Sequence, residues 1–364
     1  MTAKRRRSGF SSRTISQRLH RWLGWSVGMV LLILVISGTI LLWKNPLLHI
    51  QYPQLLTPTS TLPTADFLAH LDQQLPDWRT VRLPEPDQPY YLVYRGEQKW
   101  YYALDGQWLL TRDTDTDWLA FTESLHHHLL LGEFGDTVLG FVSIGSLLLL
   151  LLGLYQSWPR AQRWSQMLQW RWQQGGIARW YTSHRSTGLI FSLLLGLTVV
   201  TGLMLSFHGV PARWLASVDS KQAPAPISTL SSPTESMLPW ATLLAAGTQA
   251  IPDARLTMVS RPAGPDKPLT LRLQVPDEWH PNGRGGVQLH PGSGEVLSLY
   301  DVRTVGPATR LANTMYPLHA GKVGGLGYQI VLALSSIGSL FLAWSALRLW
   351  RKRRQRSLEC SLSP

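Results

Sequence analysis

Four long apolar runs constrain the fold of this 364-residue chain more than any other feature. They cover residues 22–43, 137–158, 187–207 and 326–350 and contain almost no charged residues. A run of about 20 apolar residues is long enough for a helix to cross a hydrocarbon core of about 30 Å. One such run could be a buried core helix, but four runs with tryptophan at many of their ends are typical of a membrane protein. The sequence therefore predicts four transmembrane helices.

The basic residues predict how these helices are oriented. Residues 1–21, the loop between the second and third runs, and the C-terminal tail hold 18 of the 34 Lys and Arg residues but only one acid, Glu359. The other acids lie in the two long loops, 44–136 and 208–325. Short segments rich in Lys and Arg stay in the cytoplasm. We therefore expect cytoplasmic termini and external long loops, and we attribute the basic excess to topology instead of nucleic-acid binding.

The first run follows basic residues, as the apolar core of a secretory signal peptide does. It is longer than such a core usually is. It is also followed by Trp43-Lys44-Asn45-Pro46 and not by a small-x-small cleavage site. We therefore expect the first run to be a retained helix.

Two motifs ahead of the first and third runs are related. His20 and His184 each begin an H-R-x-x-G motif. Seventeen residues after each histidine comes a small hydroxyl residue followed by glycine, at Ser37 and Thr201. The first and third helices therefore look like two copies of one element.

The second and fourth runs carry a different repeat. Both contain the pentapeptide Ser-Ile-Gly-Ser-Leu, at 143–147 and 336–340. Counting back seventeen residues from each pentapeptide leads to His126 and to His319, and each of these follows a leucine. The repeats thus select four of the eleven histidines, and they separate His126 from the two histidines that follow it.

The four selected histidines fall into one pair for each membrane face. His20 and His184 lie on the cytoplasmic side, and His126 and His319 lie on the external side. A haem b takes two axial imidazoles, which facing helices can supply. The single cysteine, Cys360, excludes a C-x-x-C-H attachment, so any haem would be non-covalent. Interfacial histidines satisfied by water, or a zinc or copper site, are the alternative interpretations.

Five further residues are secondary candidates at these sites. His127, His128 and His208 are alternative ligands on the external side. Arg21 and Arg185 directly follow the cytoplasmic histidines and could pair with haem propionates or with lipid phosphates. The remaining loop histidines, among them His49, His70, His280 and His290, are expected to be ordinary surface residues.

Each long loop contains a predicted β-hairpin. Residues 102–109 and 287–297 have turn residues between alternating apolar positions. The predicted fold is therefore an all-α four-helix transmembrane bundle with two external α+β modules, built by internal duplication.

The motifs at 20–24, 125–132, 184–188 and 318–321 resemble the PepSY-associated transmembrane family, in landmark order along nearly the whole chain. The loop hairpins look like the PepSY module. The second helix of the family often has Arg after its histidine, whereas this chain has His127.

This resemblance implies a bacterial inner-membrane protein with periplasmic PepSY modules. It also implies two b haems, one held by His20 and His184 and the other by His126 and His319. Better-understood members of the family resemble reductases of ferric siderophores, so the implied substrate is a ferric siderophore or another ferric chelate. The implied electron donor is a cytoplasmic protein or a quinol, because no flavin or nicotinamide motif is visible. A non-enzymatic PepSY protein that binds a periplasmic partner, and a metal-transport subunit, are the alternatives.

The predicted segments alternate between the cytoplasm, the membrane and the periplasm. They are a basic N-terminus at 1–21, helix 1 at 22–43, module 1 at 44–125, a histidine segment with helix 2 at 126–158, a cytoplasmic loop at 159–183, helix 3 at 184–208, module 2 at 209–318, a histidine segment with helix 4 at 319–350, and a cytoplasmic tail at 351–364.

Overall fold

The structure is a computed structural model. It describes four segments of the chain, residues 12–158, 164–220, 226–234 and 236–362. Arg160, Arg163 and the basic residues at 4–7, which contribute to the predicted orientation, lie outside the described residues.

The described residues form twelve α-helices and eight strands, numbered in chain order. The helices are α1 (Ser12–Trp25), α2 (Val27–Leu42), α3 (Lys44–Gln51), α4 (Thr64–Gln74), α5 (Trp118–His128), α6 (Gly132–Ser157), α7 (Trp164–Met167), α8 (Gly176–Leu205), α9 (Val210–Ala216), α10 (Trp240–Ala250), α11 (Pro307–His319) and α12 (Gly325–Leu362). The strands are β1 (Thr80–Arg82), β2 (Tyr91–Arg95), β3 (Gln98–Tyr102), β4 (Trp108–Arg112), β5 (Arg255–Ser260), β6 (Leu269–Gln274), β7 (Gly285–Leu289) and β8 (Val296–Tyr300). Both predicted hairpins are present, as β3–β4 and β7–β8.

The chain divides into two compact units. A helical unit consists of residues 1–42, 125–208 and 324–364. A sheet unit consists of residues 43–124 and 209–323. Each unit is therefore assembled from segments that are distant in sequence.

Three helices of the helical unit, within α6, α8 and α12, are long and apolar enough to cross a membrane. The pair α1 and α2 passes the same test together, but it is bent by 48°. The described residues therefore offer three spans, or four if the bent pair is one span. Within the unit α8 packs against α6 and α12, and α1 packs against α6.

The same close contact occurs twice between these helices. A Cβ atom on Gly145, the glycine of the first pentapeptide, would lie 2.8 Å from the Val27 side chain. A Cβ atom on Gly338, the glycine of the second pentapeptide, would lie 2.6 Å from the Phe191 ring. Glycine is needed at both positions because any side chain would collide with the neighbouring helix.

Several helix boundaries differ from the sequence prediction, and helix α1 begins at Ser12, inside the expected N-terminal segment 1–21. Helix α8 begins at Gly176, inside the segment expected to be a cytoplasmic loop, and it ends at Leu205, before His208. Helix α12 continues to Leu362, through the expected tail. Apolarity defines only the part of a helix inside the hydrocarbon, whereas Arg and Lys are good helix formers that extend a helix into water.

The sheet unit contains a single antiparallel sheet in the order β4-β3-β2-β1-β5-β6-β7-β8. Sequence analysis predicted two modules, and the sheet contains both, joined where β1 pairs with β5. This pairing removes one exposed edge from each half, and exposed edges favour aggregation.

One face of this sheet forms the core of the unit. A row of residues in register across five strands is fully buried; it consists of Val93, Val81, Val259, Leu271 and Val287. Apolar side chains of α4 and α10 complete this core. The alternation of the strands places polar and charged side chains on the opposite face.

Buried ion pairs stabilise the first half of the sheet unit. Arg112 donates two hydrogen bonds to Asp117, at 2.8 and 2.9 Å, and both side chains are fully buried. Glu123 pairs with both Lys44 and Lys99. Burial opposes ionisation of Glu123, but the two ammonium groups overcome this effect and lower its pKa to about 2.

Candidate functional site

The structure brings His20 and His184 together within the helical unit. His20 lies on α1 and His184 on α8, and their ring centroids are 6.3 Å apart with an angle of 77° between the ring planes. The two residues are 164 positions apart in sequence, and their pairing is the one that the H-R-x-x-G repeat predicts.

Both imidazoles are oriented by backbone carbonyls at equivalent positions of the second repeat. The Nδ1 atom of His20 is 3.1 Å from the carbonyl oxygen of Leu149, and the Nδ1 atom of His184 is 3.1 Å from that of Leu342. Each of these leucines lies two residues after a Ser-Ile-Gly-Ser-Leu pentapeptide. Ser345 Oγ is also 3.2 Å from His184 Nδ1. A carbonyl only accepts, so Nδ1 carries the proton and Nε2 carries the lone pair in both rings.

This geometry fits two axial ligands of one metal. Imidazoles bound on opposite sides of a metal, each at about 2.0 Å, place their ring centroids about 6 Å apart. His20 and His184 match this separation, and metal-bound histidines usually donate their other N–H group to a backbone carbonyl or a carboxylate. Gly24, one turn after His20, has open space where its side chain would be. The residues present therefore fit the bis-imidazole ligation of a haem.

The two neighbouring arginines make different contacts. Arg21 is exposed, and its Nε donates to the Gln17 carbonyl at 3.3 Å. Arg185 donates from Nη2 to the Gln166 carbonyl at 3.2 Å and lies 5.8 Å from the ring of Tyr181. Its Nε atom is buried without an acceptor in the described structure. Their proposed roles with propionates stay predictions.

His126 lies against the Ser-Gly pair of the first repeat. Its Nδ1 atom is 3.0 Å from Ser37 Oγ, which itself donates to the Ile33 carbonyl at 2.9 Å. The Ser37 hydroxyl therefore accepts the Nδ1 proton, and Nε2 carries the lone pair, as in the other pair. A Cβ atom on Gly38 would lie 2.8 Å from His126 Cε1. Ser37, seventeen residues after His20, and the following Gly38 thus form the surface on which His126 packs.

Two of the histidines predicted as alternative ligands, His128 and His208, lie beside the carboxylate of Asp136. His128 Nδ1 is 2.6 Å from one oxygen of Asp136, and His208 Nδ1 is 3.4 Å from the other. The ring of His127 stacks edge-on with those of His126 and His128. Among the described residues no group of three or more His, Cys, Asp or Glu side chains is arranged to hold a metal ion.

His208 has an uncommon backbone conformation. It has a φ of 53° and follows Phe207, which has a φ of 51°. The Phe207 ring packs on Gly140 of α6, where any side chain would collide with it. Left-handed conformations of non-glycine residues cost free energy and need support from packing.

His319 ends α11 and belongs to the sheet unit, whereas His126 belongs to the helical unit. The prediction that these two histidines share a haem stays a prediction.

The expectation that His280 is a surface residue is wrong. It is 6% exposed, and its ring packs on Tyr316 at 5.1 Å between centroids. Its Nδ1 accepts from the backbone N–H of Asn282 at 3.2 Å, as His290 Nδ1 does from Gly292. The shared His-Pro dipeptide signals such a turn in the sequence, but it does not signal burial.

The helices and the sheet together define a membrane protein with a second, α+β unit outside its apolar helices. A family model described as the PepSY-associated TM region matches residues 17–353. The chain belongs to this PepSY-associated transmembrane family. A comparison with curated proteins found no match.

Proposed function

We propose that this protein is a haem b oxidoreductase of the bacterial inner membrane that reduces ferric iron in a periplasmic siderophore or other ferric chelate. The observation that carries the proposal is the separation of 6.3 Å between His20 and His184, with both Nδ1 atoms directed to carbonyl oxygens. A bound haem would supply reversible one-electron chemistry at its iron.

The chain's own residues have defined tasks in this proposal. His20 and His184 bind the iron through Nε2, and the carbonyls of Leu149 and Leu342 hold the rings in one tautomer and make them more basic ligands. His126, with His319 as its partner, is proposed to hold a second haem on the periplasmic side.

The proposal includes the topology and the origin of the fold. We infer that α1 and α2 form one bent span, which gives four spans, cytoplasmic termini and two periplasmic segments that build the sheet unit. Equivalent contacts support internal duplication, because Gly145 with Val27 and Gly338 with Phe191 are related by the same sequence offsets as the two histidine pairs.

A spectrum tests the haem. The full chain is purified in detergent after expression with added haem precursor, and the dithionite-reduced minus oxidised spectrum is recorded. We expect a Soret band and the sharp α band of a bis-imidazole b haem in the wild type and in the exposed-histidine control His70→Ala. A wild-type protein with neither band would overturn the proposal.

A second experiment tests the reductase activity. The reduced protein is mixed with a ferric chelate, and reoxidation of the haem is followed together with capture of Fe(II) by a ferrous-specific dye. We expect both signals to appear together. A haem-loaded protein that is not reoxidised by any ferric hydroxamate, catecholate or carboxylate would instead support a non-enzymatic role in binding a periplasmic partner.

A further inference from the structure

The polar face of the sheet contains a row of residues that no role of the haem ligands explains. The strand register places Arg82 opposite Met258, Met258 opposite Arg272, Arg272 opposite Gly286, and Gly286 opposite Tyr300. Residues in register on one face project side by side, so Arg272 and Tyr300 border a position without a side chain, and Arg82 lies further along the same row, beyond Met258.

Gly286 leaves a notch in this row. A Cβ atom on Gly286 would approach only the Leu271 carbonyl oxygen, at 4.0 Å, so the space above it is open. Arg284 lies two residues before Gly286, in the turn that leads into β7. Its guanidinium group is close enough to that of Arg272 to repel it, and this repulsion adds to the effect of burial in lowering the pKa of Arg272.

Helix α11 packs beside the notch. Asn313 donates to the Tyr300 hydroxyl at 3.0 Å, and the Tyr316 ring packs on buried His280. Tyr300 and Asn313 therefore lie beside the notch, and His280 and Tyr316 lie close enough to Arg284 to interact with it electrostatically.

The charges around the notch are not balanced. Arg82 pairs with Glu85 at 3.0 Å, whereas Arg272 and Arg284 make no side-chain ion pair within the described residues. The Nε atoms of Arg82 and Arg284 are buried and have no acceptor there. Buried donors without acceptors are rare in proteins, because each has lost its hydrogen bond to water without gaining another.

The electrostatics of the neighbouring groups agree with an excess of positive charge. Burial lowers the pKa of His280 to about 3, and the guanidinium groups of Arg284, Arg272 and Arg82 add to this effect. Burial also raises the pKa of Glu278, which weakens the nearest compensating acid. The imidazole is therefore neutral, and the arginines keep their charge without a protein anion of equal strength.

We propose that Arg272 and Arg284, with Arg82, form a binding site for a carboxylate group in the notch above Gly286. Guanidinium groups bind carboxylates with two parallel hydrogen bonds, and the tyrosine hydroxyls can donate to a further oxygen. The carboxylate belongs to a small polycarboxylate, such as the ligand of a carboxylate-type ferric chelate.

The experiment measures binding of iron-free citrate to the purified full chain by isothermal titration calorimetry, and the haem content of the same samples. Iron-free citrate binds independently of reduction, so the result does not depend on the proposed reductase activity. Arg272→Gln and Arg284→Gln remove charge, and Gly286→Val fills the notch and keeps both arginines. Arg303→Gln is the matched control, because Arg303 is exposed and pairs with Asp301 in the same unit.

We expect citrate affinity to fall at least about tenfold in the three notch variants and to stay within twofold of wild type in the control. We expect the haem content to be the same in all variants. Equal citrate binding in all variants, or no citrate binding to the wild type, would overturn the site. Unfolding temperatures close to wild type show that the variants are folded, and Gly286→Val preserves the test if a charge variant is not.

Discussion

The helical unit and the sheet unit treat buried polar groups in different ways. In the helical unit, several buried hydroxyls donate to backbone carbonyls, as Ser183 does to Arg179 and Thr201 does to Leu197 within their own helix. In the sheet unit, whole charges are buried, as in the pair Arg112–Asp117. A lipid-exposed helix satisfies its backbone polar groups internally, and a polar side chain there costs free energy. A pair of imidazoles among such helices therefore indicates function. A buried charge in the sheet unit more often stabilises structure.

The largest effect on haem content is expected at His184, a partly buried histidine of the helical unit, and not at His280, a buried histidine of the sheet unit. His184→Ala removes a proposed iron ligand, so we expect the haem held with His20 to be lost, with affinity reduced more than about 100-fold. His280→Ala in the sheet unit should keep the full haem content. Haem per chain, measured as the pyridine complex, decides between them. An unchanged spectrum in His184→Ala would contradict the assignment of haem ligation to this histidine of the helical unit.

The next largest effect is expected for a buried ion pair, which should affect the stability of the protein and not its haem content. Arg112→Leu leaves Asp117 without its guanidinium partner, and breaking a buried pair costs about 3–5 kcal/mol. We expect a lower unfolding temperature by tryptophan fluorescence and no loss of the His20–His184 haem. Arg303→Leu, which breaks an exposed pair, should lower the unfolding temperature much less, because solvent screens exposed ion pairs. Similar losses for both variants would contradict a structural role for the buried pair.

Acid should destabilise the sheet unit in two stages. The pKa of His280 is lowered in the folded state, so the unfolded chain binds its proton first and stability is lost as pH falls from about 6.5 to about 3. Burial opposes ionisation of Glu123, but its lysines lower its pKa, so its contribution is present above about pH 4.3 and is lost below it. Unfolding temperature against pH measures this, and His280→Gln should flatten only the upper stage. A flat profile in the wild type would contradict both assignments.

The smallest expected effect tests the packing of an external histidine. Gly38→Ala adds a methyl group 2.8 Å from His126 Cε1 and should displace the ring, which weakens haem binding there by about tenfold. Gly175→Ala, directly before α8, points into open space and should change haem content less than twofold. The two alanine variants differ only in what the added carbon meets, so equal haem loss would exclude ring displacement as the cause.

The sequence predicts the helical unit better than the sheet unit. The repeats identify His20 and His184 as a pair because copies of one element keep the same offsets. They do not reveal the carbonyls of Leu149 and Leu342 as acceptors, because every residue has a carbonyl. The bend between α1 and α2 is also invisible in a continuous apolar run.

The neighbours on the polar face of the sheet could not be predicted from the sequence for a different reason. Arg82, Arg272 and Gly286 meet only through the register of four strands, and single sequences carry little information about register across long separations. A histidine such as His280 gives no sign of burial while its surroundings are unknown. Charged residues in loops therefore need the structure before a role can be assigned.

The seam between β1 and β5 has a consequence for the order of biosynthesis. Val81 is synthesised before its pairing partner Val259, and α6 and α8 are both synthesised between them. At about 5–20 residues per second, this interval lasts roughly 10–35 seconds, during which β1 presents an open edge. The sheet can therefore close only after the middle helices have been synthesised.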